Sequence, residues 1–152
     1  MTRCKRADHL MAPAFLAVAL ATAVTGSAEA SRVGTSHDLT VRCTEILKNP
    51  DVKNGGVAGT GHCTLSGKIE DKGKATDYRR QVGNKALIRR VVAGQKGTIT
   101  FLITIDLRTG AEPWSVASGS KTYRGLRGKG RQVVDNFSAT PATFVMKGTI
   151  SK

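Results

Sequence analysis

The 152-residue chain is poor in acidic residues and in aromatic residues. Eleven Asp and Glu stand against 24 Lys and Arg, which gives a formal net charge of +13. Such an excess predicts adhesion to polyanions, including those of a cell envelope. Aromatic residues make up only 5% of the chain, too few for the stacking platforms that nucleic-acid-binding grooves place beside their cations. We therefore expect no specific nucleic-acid partner.

The motifs of common catalytic sites are also missing. A nucleophilic triad needs a serine on a tight turn, and the chain has no Gly-x-Ser-x-Gly segment. The glycine-rich run 125–130 is not followed by a helical pattern, so it does not fit a phosphate-binding loop. The carboxylates expected at strand ends or turns, as solvated charges, are Glu70, Asp71, Asp77 and Asp106. The sequence leans towards a protein without enzymatic activity, and we predict no cofactor.

The only long apolar run lies at the start of the chain, over residues 10–24. It follows a basic segment and precedes Ala28-Glu29-Ala30, whose small residues suit a cleavage site, so residues 1–30 are predicted to be a signal peptide. The run is shorter than the roughly 20 residues that span a bilayer. We expect a protein without a membrane span, secreted or held in the periplasm or cell envelope after cleavage near Ala30. Residues 31–152 are then one domain.

Three cysteines are present, and Cys4 lies within the predicted signal peptide. An even pair in an exported chain, Cys43 and Cys63, predicts a disulfide. Cys43 has the parity of Leu39 and Val41, and Cys63 has that of Leu65. Both sulfurs should therefore lie on the core-facing side of two adjacent strands. Without a Cys-x-x-Cys spacing the pair is a poor metal site, and we predict no metal.

Histidine is scarce as well. After residue 30 the chain has only His37 and His62. Both are expected on the outer face of neighbouring strands. Two such histidines could bind a metal, but we prefer surface residues without a function.

The remaining sequence has the pattern of a small all-β domain. Residues 97–106 alternate, with apolar side chains at every odd position from Ile99 to Ile105, which predicts a strand with one buried face. The expected strands are 37–43, 61–70, 75–82, 85–92, 97–106, 114–118, 125–134 and 142–150. Residues 44–60 are expected to form a loop, with one helical turn at 45–48. About eight short strands predict a closed antiparallel barrel, with a β-sandwich as the alternative.

One stretch resembles a known group of barrels. The pattern Ser118-Gly-x-x-x-Tyr-x-Gly-Leu-x-Gly-x-Gly130 is similar to a hairpin of the allene oxide cyclase-like and dirigent-like proteins, which include small secreted bacterial members. The resemblance implies an eight-stranded barrel with an apolar interior open at one end, and it transfers no catalytic residue. If Leu126 faces inward, so do Gly128 and Gly130. The two glycines could border a cavity or make room for Trp114, and we prefer the second.

Candidates for the lining of such an interior follow from strand parity. Each Arg-Arg pair on a strand, 79–80 and 89–90, should send one member inward. There the arginine could bind an anionic group bidentately, or it could extend to the rim with its stem packed on apolar neighbours. The candidate ligand-binding residues are Phe101, Trp114, Tyr123, Leu126 and Arg90. We prefer a non-enzymatic module that binds a small apolar ligand or an envelope component. An isomerase or cyclase acting through a shaped cavity, and a basic protein that binds polyanions, remain the alternatives.

Overall fold

The computed structural model describes residues 35–48 and 55–152. The predicted signal peptide and its cleavage site lie outside these residues. The strands are β1 (His37–Leu47), β2 (Gly56–Gly67), β3 (Asp71–Val82), β4 (Lys85–Gly94), β5 (Gly97–Asp106), β6 (Pro113–Gly119), β7 (Arg127–Asn136) and β8 (Ala142–Ser151). A single 3-10 turn, Lys121–Tyr123, lies between β6 and β7. In the described part of the chain no helix is long and apolar enough to cross a membrane.

The eight strands form a closed barrel. Each strand pairs antiparallel with the next, and β8 returns to pair with β1. Closure removes the two free edge strands of an open sheet, although β6 pairs with β7 only over Pro113 to Ser115. The prediction of an all-β, eight-stranded antiparallel barrel is therefore confirmed, and the sandwich alternative is not adopted.

The barrel interior is filled by the apolar side chains that alternate along the strands. On β5, Phe101 is fully buried, and its ring meets the indole of Trp114 edge to face, with 5.6 Å between centroids. A Cβ at Gly130 or Gly148 would lie 2.7 or 2.6 Å from Trp114 Cζ2. The indole thus occupies the space that the two glycines leave, as expected for Gly130. At Gly128 a Cβ would meet other side chains instead.

The disulfide joins the first two strands. Cys43 and Cys63 are direct partners in the β1–β2 register, both are buried, and their Cα atoms are 4.1 Å apart. The predicted pairing and its core-facing position are confirmed.

The expected loop over 44–60 is wrong at both ends. Strand β1 continues to Leu47 and β2 already begins at Gly56, so no helical turn forms at 45–48. The alternation runs on past Cys43 to Glu45, which pairs with Gly61 and is fully buried. A charged residue and several glycines do not have the apolar pattern of a strand, and the interior position of Glu45 depends on partners from other strands.

The expectation for His37 is also wrong. His37 is an even number of residues from Cys43, so the two side chains lie on the same face of β1. It pairs with Ile150 of β8 and is half-buried at one end of the barrel. His62 is exposed, as expected.

Candidate ligand-binding cavity

The 3-10 turn lies at one end of the barrel, here called the turn end. The buried Tyr123 donates its hydroxyl proton to Asp71 Oδ2 at 2.7 Å, and the backbone amides of Lys72, Gln95 and Lys96 donate to the same carboxylate. Although burial opposes it, these hydrogen bonds hold the pKa of Asp71 below its usual value. Burial and the Asp71 carboxylate raise the pKa of Tyr123. The turn is therefore tied to the start of β3.

A cavity of about 570 Å³ lies at the opposite end of the barrel, here called the cavity end. This volume is within the range of about 300–1,000 Å³ that is usual for small-molecule sites. The apolar lining residues are Leu47, Ala58, Ile88, Ile105, Leu107, Val134, Phe137 and Phe144. The polar lining residues are Lys48, Asp77, Arg79, Glu112 and Gln132. The cavity is mostly apolar, with several polar side chains converging on it.

A buried arginine holds the polar side chains of the cavity floor. Arg90 is fully buried and binds Asp77 bidentately, with Nε donating to Oδ1 at 2.9 Å and Nη2 to Oδ2 at 2.7 Å. Its Nη1 donates to Gln132 Oε1 at 2.9 Å, and Gln132 Nε2 donates to Glu112 Oε2 at 2.8 Å. The guanidinium also lies over the Phe144 ring, 5.0 Å from its centroid. A connected polar network thus runs from the core to the cavity wall.

Glu45 belongs to the same network but is poorly compensated. Its Oε1 lies 3.0 Å from Arg90 Nη2, yet neither carboxylate oxygen has a hydrogen-bond partner of good geometry among the described residues. Burial raises the pKa of Glu45 to about 7, opposed by Arg90 and reinforced by the neighbouring Asp77. Gly59 makes room for this side chain, since a Cβ there would lie 2.8 Å from Glu45 Oε2. Glu45 therefore takes up a proton close to neutral pH.

Arg79 is the second arginine that points inward. It lines the cavity, and its Nε is buried without a hydrogen-bond partner among the described residues. No carboxylate of residues 35–48 or 55–152 lies within ion-pair distance of its guanidinium. Arg80 is exposed, and Arg89 lies on the outside over the Tyr78 ring, 4.2 Å from the centroid. Each Arg-Arg pair therefore sends one member inward, as expected.

The five candidate residues from the sequence do not surround one space. Phe101 and Trp114 pack in the barrel core, and Tyr123 is buried at the turn end. Leu126 lines a hollow beside His37 and Ile150, also at the turn end. Arg90 alone adjoins the cavity, behind the side chains of its floor.

Sequence reasoning missed Glu45, Asp77, Glu112 and Gln132. The expectation that Asp77 is a solvated charge is wrong, because it is 4% exposed and faces the interior. A signal for it was present: the two-residue turn 83–84 pairs Val82 with Lys85, and this register places Asp77 opposite Arg90. Two opposite charges at directly paired, inward positions indicate a buried ion pair.

One further group of side chains has the residue types of a metal site. The sulfurs of Cys43 and Cys63 lie close to a carboxylate oxygen of Glu45. Both sulfurs are joined in the disulfide and supply no thiolate, which is the form that binds a metal. This group therefore does not fit a metal ion while the disulfide is intact.

Comparison with known proteins bears on the fold alone. No protein-family model matches the sequence, and no curated protein is detectably similar to it. Among solved structures, the chain is similar to the pterocarpan synthase dirigent protein GePTS1, with a TM-score of 0.54 over 93% of this chain and 95% of that chain. The two sequences are 11% identical. The chain therefore has a barrel fold similar to that of this dirigent protein.

Proposed function

We propose that the protein is a non-enzymatic binding module that holds a small, largely apolar ligand in the cavity end of the barrel. The observation that carries the proposal is the cavity of about 570 Å³, whose lining is mostly apolar and includes a few polar side chains. Small-molecule sites are typically built in this way, with apolar walls for affinity and a few polar groups for orientation.

The buried Nε donor of Arg79 supports the proposal of a ligand that also carries an acidic or other hydrogen-bond-accepting group. Leaving a buried donor without a partner costs about 1–3 kcal/mol, and the Nε of Arg79 is such a donor among the described residues. A carboxylate or phosphate in the cavity would accept from it, with the paired geometry that guanidinium groups favour. The proposed ligand is therefore amphipathic, with an apolar body and one anionic end.

The contacts of the floor residues favour binding over chemistry. Asp77 has both oxygens bound to Arg90, and Gln132 uses both ends of its amide. A general acid or base must lie within hydrogen-bond reach of the substrate. Glu45, the carboxyl with a pKa near neutrality, is fully buried and is not part of the cavity lining.

A second candidate function is an isomerase or cyclase that acts through the shape of the cavity. The convergence of Asp77, Arg79, Glu112 and Gln132 in an apolar space favours it. In such an enzyme these side chains would orient a reactive substrate, and the network behind them would stabilise charge as it develops.

We further propose that the protein acts outside the cytoplasm, secreted or in the cell envelope. The disulfide between Cys43 and Cys63 supports this location, because structural disulfides form and persist mainly in oxidising compartments.

The binding proposal is tested with N-phenyl-1-naphthylamine, an uncharged probe that fluoresces in apolar surroundings. We expect saturable fluorescence with the wild type and at least tenfold weaker binding after Ala58→Phe, which fills the cavity. Ala93→Phe adds the same side chain at an exposed position of β4 and serves as the control. Equal binding by both variants, or no saturable binding by the wild type, would contradict the proposal. Circular dichroism establishes that both variants fold.

The anionic end of the ligand is tested by competition between decanoate and decanol for the same probe. We expect decanoate to displace the probe at lower concentration than decanol. Arg79→Met should remove that advantage, a loss of about 10- to 100-fold if a charge-assisted hydrogen bond is worth 1.5–3 kcal/mol. Arg80→Met, on the exposed side of β3, is the matched control. Equal displacement by the two compounds in the wild type argues against an anionic ligand.

A further inference from the structure

A row of cations lies on the outside of the barrel, away from the cavity. We define the basic row as Arg127, Lys129 and Arg131 of β7 with Lys147 of β8. The three β7 residues alternate along one strand, so their side chains share the outer face, at intervals of about 7 Å. All four side chains are exposed. The barrel thus presents a regular line of positive charge.

The part of the protein that the structure describes does not neutralise this row. Arg131 lies directly opposite Lys147 in the β7–β8 register, and like charges at directly paired positions are destabilising. Within residues 35–48 and 55–152, no carboxylate is within ion-pair distance of any of the four. The outward Asp135 at the end of β7 is 3.9 Å from Arg42 instead. An external anion would relieve the repulsion between these side chains.

Hydroxyl groups flank the row on both sides. Lys129 lies between Ser115 of β6 and Thr149 of β8, and Arg127 lies opposite Ser151. The outward positions of the described β6, β7 and β8 include no aromatic side chain. The outer face of these three strands therefore offers cations to a nucleic acid, but no aromatic side chain on which its bases could stack.

We propose that the basic row binds a linear polymer of phosphate-linked polyol units. Guanidinium groups bind phosphate oxygens bidentately, and the flanking hydroxyls can donate to phosphate or pair with the hydroxyls of the polyol. Regularly spaced cations along a strand fit an extended chain with repeated charges. The site lies on the outer face of β7 and β8 and does not depend on the cavity.

The test measures binding to a synthetic poly(glycerol phosphate) chain by fluorescence anisotropy at several salt concentrations. We expect the triple variant Arg127→Gln, Lys129→Gln, Arg131→Gln to bind at least tenfold more weakly than wild type. The slope of log affinity against log salt should fall by about 2, near 0.7 for each phosphate that the variant no longer neutralises. Circular dichroism establishes that the variant still folds.

The matched control removes the same charge from another strand, by Lys72→Gln, Lys74→Gln and Arg80→Gln on the exposed side of β3. A loss confined to the β7 variant supports the proposal. Equal losses in both variants would mean that binding follows net charge, which overturns it. Tighter binding to an oligothymidylate of equal charge, or to vesicles of anionic lipid, would also overturn it.

Discussion

Replacing Glu45 by Gln tests the electrostatics of the barrel interior. In the folded protein the pKa of Glu45 is raised to about 7, whereas the ordinary pKa of this carboxyl is 4.5. Between these pH values the folded state binds a proton that the unfolded chain has released, so stability falls as pH rises through this window. This difference between the two pKa values of Glu45 corresponds to roughly 3 kcal/mol in the free energy of unfolding.

Glu45→Gln keeps the shape of the side chain and cannot ionise. Its amide can still accept from Arg90, and its N–H can donate to Asp77, towards which Glu45 is oriented. We expect the variant to match the wild type near pH 4, below the ordinary pKa of 4.5, and to exceed its free energy of unfolding at pH 8 by up to about 3 kcal/mol. The gain should develop as pH rises from about 4.5 to about 7.

The assay is urea unfolding with the disulfide intact, at a series of pH values from about 4 to about 8 that brackets both pKa values of Glu45. The pKa values of Asp71 and Asp106 are lowered in the folded protein, so the stability that they contribute is lost as pH falls towards acid. This loss is the same in both proteins and cancels in the difference between their free energies of unfolding. Glu70→Gln removes an exposed carboxylate and is the control. A difference between Glu45→Gln and wild type that does not change with pH would refute the reasoning, as would a less stable variant at pH 8.

Three further predictions concern stability, each measured by urea unfolding. Replacing Cys43 and Cys63 together by Ser should lower the free energy of unfolding by about 2–5 kcal/mol, because the bond closes a separation of 20 residues; a loss below about 1 kcal/mol would contradict this. Gly130→Ala should cost about 1–3 kcal/mol, because its Cβ would meet the Lys147 carbonyl oxygen and the Trp114 ring, and a neutral effect would count against that packing. Tyr123→Phe should cost about 1–2 kcal/mol, because the variant cannot donate a hydrogen bond to Asp71, and an unchanged stability would show that this bond does not hold the turn.

The sequence indicates the barrel well because its strands alternate. Period-two patterns such as Ile99 to Ile105 mark a buried face without knowledge of the partners, and the parity of Cys43 and Cys63 places both sulfurs inside. The same reasoning fails at Glu45. Glu45 has the parity of Cys43, but a carboxyl residue interrupts the apolar pattern of the strand. Its neighbour Arg90 comes from another strand, and local patterns do not contain that information.

The candidate site could be predicted only in part for the same reason. Strand parity identifies Arg79 and Arg90 as inward, and the register fixed by the turn at 83–84 could have added Asp77. Glu112 lies outside the strands and reaches Gln132 only once β5, β6 and β7 are side by side. Its position is a consequence of the pairing of these strands, which no short segment encodes.

The most direct test of the central proposal, a ligand held at the cavity end, is methyl NMR of isoleucine-labelled protein titrated with N-phenyl-1-naphthylamine and with decanoate. Ile88 and Ile105 line the cavity, whereas Ile69 and Ile150 line the hollow at the turn end. We expect saturable shifts of the Ile88 and Ile105 methyl signals and no change at Ile69 and Ile150. Shifts confined to Ile69 and Ile150, or no saturable shift at any of the four, would contradict binding in the cavity.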